Sequence, residues 1–515
     1  TAAGFTCAAC HTGQITYGDK RYVVDGAPAM IDLGLFTQSL GAALGQTVLS
    51  SKFSILNGRF ERFAKRVLGS NYNPLTEGKL KAELTKTIGQ LVTTSDVIDV
   101  TEGFTRLDAL NRIGNQVFSV DMSAPENYVP IDAPVNFPHL WTTSWFDWVQ
   151  YDASIMQPLI RNTGEALGVK AFLDTTGPND QRYASSVNVH NLLKIEDWIG
   201  GKHPFDTTPP RFNGLAGPKW PAEFPPIDKK LVSKGANLYQ DLCQSCHLPP
   251  IDSEEFWSDS HWQPIRYVQG GENKETDQPY LVMKVIELSK IGTDPGQAGI
   301  IANRTVNTTG LEMDTDICAP VENDAGEWAL TFVPMNDSAT SNFGFALGAV
   351  VERTNNQWFN QNFIPEAQRP VFEGGGRPNC LQASGGYKAR PLNGVWATAP
   401  FLHNGSIAAI YDLLSTQKER PTFIQLGNQA FDPAKLGIVQ TELDDVYLNE
   451  EDRKIPSSTP DYSDGLFVLD TREAGNFNTG HIFDDRSADG VPQGRIGRKL
   501  NEDEKLALIE YLKIL

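Results

Sequence analysis

One cysteine pattern occurs twice in this sequence. Residues 7–11 (CAACH) and residues 243–247 (CQSCH) both read C-x-x-C-H. Two thiols one helical turn apart can reach the two vinyl groups of one porphyrin, and the histidine that follows lies beneath the iron. Zinc or dithiol redox motifs are the alternative, but no further Cys or His follows either motif closely enough to complete a zinc site. We predict two covalently bound haem c groups, attached through Cys7, Cys10 and His11 and through Cys243, Cys246 and His247.

Net charge and the expected cellular compartment further limit the class of protein. The 44 Lys and Arg face 63 Asp and Glu, a net charge of −19, which makes nucleic acid an unfavourable partner. The sequence contains no run of eighteen or more apolar residues, so it predicts no transmembrane helix. Covalent haem attachment predicts a periplasmic or secreted protein, whose leader is not present in this chain. In such a compartment Cys318 and Cys380 either form one disulfide or remain two separate buried thiols; their spacing leaves both open.

The two motifs lie far apart in the chain, so each is expected to have its own domain. We predict an N-terminal haem domain with insertions over residues 1–205, holding the active-site haem. A Pro/Gly-rich linker at 206–226 and a C-terminal domain at 227–515, holding an electron-transfer haem, follow. Helical spacing indicates a helix over 228–239, and Asn501 with Glu504 indicates a capped C-terminal helix. The expected fold is mainly α: two cytochrome c-like haem domains with long loops and insertions.

A long segment after the second motif carries a family resemblance. Residues 388–406 (KARPLNGVWATAPFLHNGS) resemble the signature of the dihaem cytochrome c peroxidase and MauG superfamily. Segments 148–152, 161–168 and 291–295, together with Gly480-His481, extend the similarity along the chain. The most similar branch holds the rubber oxygenases and the bacterial dihaem fatty-acid dioxygenases that form oleate hydroperoxides. The resemblance implies a haem oxidoreductase.

The resemblance also implies which iron is open. No Met lies between Asn404 and Gly427, where dihaem peroxidases place a ligand of the second haem. The rubber-oxygenase branch instead uses a histidine shortly before the last helix, so His481 is the expected distal ligand, with an exposed loop histidine as the alternative. His403 is expected to support the haem environment rather than to bind iron. No histidine lies between His11 and His139, which predicts an open first haem.

The superfamily pattern suggests further site residues, each with a plainer interpretation. Trp148 or Trp145 would relay electrons between the haems, or simply pack in the core. Glu165 would be a distal acid, or an ion-pair partner of Arg161 at helical spacing, and the second interpretation is favoured. The carbonyls of Thr398 and Pro400 would bind calcium between the domains.

Together these features predict a dioxygenase. Its substrates would be O2 and an unsaturated apolar molecule, a fatty acid such as oleate, which it would convert to a hydroperoxide. Aromatic residues near 137–148 would line an apolar pocket beside the first haem, or belong to the ordinary core. The alternatives are a peroxidase that reduces H2O2 with electrons from a small cytochrome or other donor, a polyisoprene (rubber) oxygenase, and an electron carrier.

Overall fold

The computed structural model describes residues 5–51, 58–93, 97–323, 325–441, 466–486 and 490–515. It is 37% helix and 20% strand, with several small sheets, so the prediction of a mainly α fold is wrong. Much of the strand content lies between residues 262 and 335. Only three of the ten residues in strand 272–281 are buried, so this strand is held mainly by backbone pairing at the surface. Such strands lack the regular apolar alternation that reveals a strand in sequence.

The helices are numbered α1 to α15 in chain order. They are Ala8–His11, Leu33–Ser50, Arg59–Leu68, Pro74–Thr93, Ala109–Gly114, Pro158–Gly168, Val189–Gly200, Lys229–Leu242, Gln244–His247, Leu288–Ile291, Gly296–Asn303, Phe343–Gln361, Arg369–Phe372, Ile410–Leu413 and Glu502–Leu512. Of the described helices, none is long and apolar enough to cross a membrane.

The strands are numbered β1 to β18. They are Thr12–Tyr17, Lys20–Asp25, Arg106–Leu107, Val135–Asn136, Trp262–Gln269, Glu272–Leu281, Lys284–Glu287, Thr305–Val306, Thr315–Glu322, Trp328–Met335, Ser341–Asn342, Gly386–Ala389, Phe423–Leu426, Phe431–Asp432, Gly437–Ile438, Phe467–Asp470, Ile482–Phe483 and Arg495–Gly497. One sheet has four strands in the order β6-β5-β10-β9, and the others are two-stranded pairs.

Two large hydrophobic cores organise the chain. The first packs α5 and α6 against α12, with Phe118 and Phe343 fully buried and in edge-to-face contact at 6.1 Å. The second packs α8 against α15 and gathers Trp141 and Trp396. Each core draws residues from both sides of segment 206–226, which itself is irregular beyond a short turn at its start. The boundaries 1–205, 206–226 and 227–515 stay a prediction.

Two helices predicted from the sequence are confirmed, one directly before the second motif and one at the C-terminus. Asp228 caps α8, accepting hydrogen bonds from two backbone amides, and α8 leads directly into the motif. Asn501 and Glu504 form the predicted capping box at the start of α15. Gly235 permits the close crossing of α8 and α15, because a Cβ there would lie 2.0 Å from the carbonyl oxygen of Ala507. Local sequence therefore determines this part of the second core.

The remaining pair of cysteines is joined. Cys318 on β9 and Cys380 form a disulfide that closes a separation of 62 residues, and both are fully buried. Their sulfurs lie in a small core with Trp148, Met156 and Ile265. Of the two interpretations that the spacing left open, the disulfide is the one the structure shows.

Candidate functional site

The first C-x-x-C-H motif is wound into one helical turn. The backbone amide of His11 donates to the carbonyl of Cys7 at 3.0 Å, which brings both cysteines and the histidine to one side. The imidazole Nδ1 of His11 lies 2.9 Å from the carbonyl oxygen of Pro138. A carbonyl can only accept, so Nδ1 carries the proton and Nε2 keeps a free lone pair. Burial lowers the pKa of His11 to about 4, which keeps the ring neutral and able to bind a metal.

The second motif repeats this arrangement. His247 lies on α9, and its Nδ1 donates to the carbonyl of Arg390 at 2.7 Å. Burial lowers the pKa of this ring as well. Tyr239 on α8 holds the chain that leaves the motif by donating to the carbonyl of Leu248 at 2.7 Å. Both histidines are thus oriented by a backbone carbonyl from a distant part of the chain, as metal-ligating histidines usually are.

The four motif cysteines are free thiols, and all are at least partly accessible. Burial, followed by the charge of Glu165, raises the pKa of Cys10 to about 11. Burial raises the pKa of Cys243 to about 12. Within the described residues no group of three or more His, Cys, Asp or Glu side chains could hold a metal ion. The cysteines therefore suit thioether attachment of a porphyrin better than a zinc site.

His481 stands opposite His247. The two imidazole centroids are 6.2 Å apart at an interplanar angle of 63°. Two metal–nitrogen bonds of about 2 Å each, added to the two ring radii, account for a separation of this size. Burial and the neighbouring His247 lower the pKa of His481 to about 3, and its Nδ1 is a buried atom without a hydrogen-bond partner. The pair fits the two axial positions of one haem iron.

A buried arginine holds the loop that carries His481. The Arg420 guanidinium donates to the carbonyls of Asn478 at 2.5 Å, Gly480 at 2.8 Å and His481 at 2.9 Å, and to Leu413 at 3.2 Å. Nothing in the local sequence pattern pointed to this residue, because the four carbonyls come together only in the folded chain. Arg420 is a positioning residue for His481.

Backbone contacts fix the same loop from its other side. Gly480 has φ +73° and presses on the end of α10, where a Cβ would meet the carbonyl oxygen of Ile291 at 2.2 Å. The amide of His481 donates to that same carbonyl at 3.0 Å. Only glycine fits at position 480, which gives the Gly480-His481 pair a physical basis.

His403 makes no ring contact with His11 or His247 in the described part of the chain. Its ring stacks on Tyr387 at 4.0 Å and meets Tyr151 edge-on at 6.3 Å. Burial lowers its pKa to about 3. Its backbone carbonyl accepts from the amide of Asn136. A neutral ring packed between aromatic side chains is compatible with a supporting role, and that role stays a prediction.

The favoured pairing of Glu165 with Arg161 does not form. Arg161 makes a buried ion pair with Glu196 at 2.5 Å, and Glu165 instead accepts from the side chain of Gln150 at 3.2 Å. Sequence spacing gave no sign of Glu196, because it lies on a different helix. Desolvation is the main cause of the raised pKa of Glu165, yet its side chain keeps accessible surface. Glu165 also lies close enough to Cys10 for its charge to raise the pKa of that thiol.

Two cationic side chains, Lys388 and Arg390, are partly buried and, in the described residues, form no ion pair. Lys388 donates to the carbonyl of Gln150, and Arg390 donates to the carbonyl of His139 at 2.7 Å. Desolvation lowers the pKa of Lys388 well below its usual range and that of Arg390 to about 10, and the Arg390 Nε has no partner. The charges of Asp152 and Asp147 offset part of this effect at Lys388. An anionic group beside Arg390 would offset the rest of the desolvation cost, and a haem propionate would supply such a charge.

The two tryptophans do not contact the motif histidines in the described residues. Trp148 packs beside the disulfide, and the Trp145 indole donates to the carbonyl of Gly200 at 2.9 Å and meets the ring of His203. The predicted role of Trp145 and Trp148 in electron relay therefore has no support from a contact with His11 or His247.

One of the two carbonyls predicted to bind calcium already has a hydrogen-bond partner. The Pro400 carbonyl accepts from the side-chain amide of Asn136 at 2.8 Å. The calcium site stays a prediction.

Comparison with known proteins agrees with this site. Residues 386–425 match a family model described as RoxA-like, cytochrome c-like, and that segment includes Arg390, His403 and Arg420. This match, together with the attachment motifs, supports a rubber-oxygenase-like haem cytochrome and suggests haem-dependent oxidoreductase activity.

Two proteins of Sinorhizobium fredii (strain NBRC 101917 / NGR234) are similar to this chain. The uncharacterized protein y4iJ is 44% identical over 525 residues, which cover 100% of this chain and 77% of y4iJ. The uncharacterized protein y4iM is 37% identical over 134 residues, which cover 25% of this chain and 27% of y4iM. The chain belongs to the family of y4iJ.

Proposed function

We propose that this chain is a dihaem c-type dioxygenase that uses O2 to oxygenate an unsaturated apolar substrate, a fatty acid such as oleate, to a hydroperoxide. One haem c would be held by Cys7, Cys10 and His11. The other would be held by Cys243, Cys246 and His247.

The observation that carries the proposal is the difference between the two histidine sites. His247 faces His481 at ligating separation, whereas no other histidine ring in the described residues makes a ring contact with His11. The ring of His139 instead packs against Trp141, with centroids 4.5 Å apart. A haem bound at His11 would supply an iron with an open coordination position, and a haem with two axial histidines would supply electron transfer.

The residues around the first site have definable tasks. Pro138 fixes the tautomer of His11 and thereby directs Nε2 toward the iron. Glu165 accepts a hydrogen bond from Gln150, and its charge acts on Cys10 of the first motif. Phe137 meets the ring of His11 edge-on at 6.3 Å and would supply an apolar wall beside the first haem. Trp141 and Phe146 are fully buried in two different hydrophobic cores, as the plainer interpretation of this aromatic segment expects.

The location and partners follow from the same chemistry. Covalent haem attachment and the buried Cys318–Cys380 disulfide both favour an oxidising compartment, so we propose the periplasm or the exterior. The acidic surface would attract a basic cytochrome if an external electron donor is needed. Polyisoprene cleavage is the second candidate, favoured by the RoxA-like match of residues 386–425.

The test is O2 uptake by the haem-loaded protein on addition of oleate, with neither reductant nor peroxide present. We expect uptake together with a hydroperoxide product, and none with stearate, the matched saturated acid. Uptake with polyisoprene alone would support the second candidate. Consumption of H2O2 in the presence of a reduced cytochrome, without O2 uptake, would contradict the proposal and identify a peroxidase.

Arg420 offers a spectroscopic prediction about the second site. The variant Arg420→Met loses the hydrogen bonds to four carbonyls, and a hydrogen bond to a charged group is worth ~1.5–3 kcal/mol. Loss of only one such contribution lowers the equilibrium constant for His481 coordination about tenfold or more. We expect a high-spin fraction in the absorption spectrum of the second haem, reversed by added imidazole.

Arg304→Met is the matched control. Arg304 is also a buried arginine that donates to several oxygens, including those of Asn111 and Asn115, but it packs over Phe343 of the first core. If both variants changed the spectrum equally, general loosening of the fold would explain the result and Arg420 would have no specific role.

A further inference from the structure

Helix α2 is uncharged along its whole length yet largely unburied. Its eighteen residues include no Asp, Glu, Lys or Arg, and only four of them are buried. The large side chains Leu35, Phe36, Leu40 and Leu49 are 37–53% exposed. An uncharged apolar helix in a globular protein is normally packed on most sides. A concentration of exposed apolar side chains on one helix marks an interaction surface.

The helices beside α2 leave its large side chains Leu35, Phe36, Leu40 and Leu49 exposed. Residues 33–93, which contain α2, α3 and α4, form the α2–α4 segment. Its own core is small, with Val48, Phe60, Ala64 and Leu84 buried. Arg59 ties α3 to α2 by donating to Thr47 and to the carbonyl of Ala43. The exposed apolar side chains of α2 therefore lie outside this core.

The α2–α4 segment also differs from the rest of the chain in charge. It contains eight Lys and Arg against three Asp and Glu, a net charge of +5, whereas the other 454 residues carry a net charge of −24. Arg66 on α3 and Lys79 and Lys86 on α4 are exposed. A basic module on a strongly acidic protein creates a directional field that favours one orientation toward an anionic partner.

We propose that the α2–α4 segment docks the protein on an anionic lipid surface. The exposed apolar side chains of α2 would enter the boundary between headgroups and acyl chains, and the lysines and arginines of α3 and α4 would contact the anionic headgroups. The acidic remainder of the protein is repelled from such a surface, so only this segment faces it. A second copy fits less well, because a two-fold contact would oppose two faces of like charge.

The docking surface adjoins the first haem-attachment motif. Phe36 on α2 meets the ring of Phe5 edge-on, with centroids 5.4 Å apart, and Phe5 lies two residues before Cys7. A substrate dissolved in the lipid would arrive next to that site. This consequence rests on the proposed function, whereas docking itself does not.

The experiment is vesicle flotation of the purified full chain at low and high salt. The two vesicle types are phosphatidylcholine alone and phosphatidylcholine mixed with phosphatidylglycerol. We expect binding to the mixed vesicles, weakened by salt and much weaker with phosphatidylcholine alone. K79Q/K86Q is expected to reduce the affinity about fivefold for each cation removed. L35S/F36S/L40S is expected to abolish flotation while leaving the circular dichroism spectrum unchanged.

Matched controls make the same kinds of substitution outside the α2–α4 segment. F363S/V371S replaces two apolar residues that are 90% and 62% exposed outside the segment, and K229Q/K230Q removes two exposed lysines at the start of α8. Both controls are expected to float as the unchanged protein does. The proposal is overturned by equal binding to both vesicle types or by no binding. It is also overturned if the controls weaken flotation equally, or if the α2 changes only abolish self-association in solution.

Discussion

Replacing His481 by alanine is expected to convert the second haem from a low-spin iron with two axial histidines to a high-spin iron with one. The reason is geometric, because His481 is the ring that faces His247 at 6.2 Å in the described residues. Absorption and electron paramagnetic resonance spectra report the spin state directly. Carbon monoxide binding provides a second measure: the unchanged protein should bind CO at the first haem only, and the H481A variant at both haems.

Two controls separate loss of the ligand from damage to the fold. His190 on α7 is exposed and contacts Trp358 and Phe372, so H190A removes an imidazole far from either motif. It should leave the spectrum unchanged. Added imidazole should restore the low-spin spectrum of H481A. If H481A kept the low-spin spectrum and the original CO stoichiometry, His481 would not be the ligand, and the difference between the two sites would need another explanation.

Elements governed by local interactions were predictable from the sequence. The Asn501–Glu504 capping box joins residues three positions apart, and it formed as predicted. The C-x-x-C-H turns are likewise local, since each is closed by a backbone hydrogen bond within one turn. His481 was reached through a family resemblance, and the structure places it opposite His247.

The rest depended on contacts between distant segments. Arg161 pairs with Glu196, 35 positions away, rather than with Glu165 at helical spacing, because α7 brings Glu196 to within 2.5 Å. The carbonyls that orient His11 and His247 come from residues 127 and 143 positions away. Backbone carbonyls occur at every residue, so no residue type signals such a contact. The strands of the four-stranded sheet were missed for a similar reason, because their stability comes from pairing rather than from a regular apolar face.

Removing the Cys318–Cys380 disulfide is expected to lower the free energy of unfolding by about 4 kcal/mol. The bond closes a separation of 62 residues, and its absence returns that loop entropy to the unfolded chain. Both sulfurs are fully buried, so alanine is the suitable replacement; serine would add an unpaired hydroxyl to the core. Guanidinium unfolding of C318A/C380A, followed by tryptophan fluorescence, measures the change, since Trp148 lies in the same core.

The unchanged protein supplies the control for this measurement. Treatment with a reductant after partial unfolding should lower its stability toward that of C318A/C380A, while the double variant should not respond to reductant. Alkylation of the denatured protein before and after reduction counts the thiols, and two should appear only after reduction. Equal stabilities for the oxidised protein and the double variant would show that β9 and the Cys380 segment are held by core packing alone. The disulfide would then report an oxidising compartment rather than support the fold.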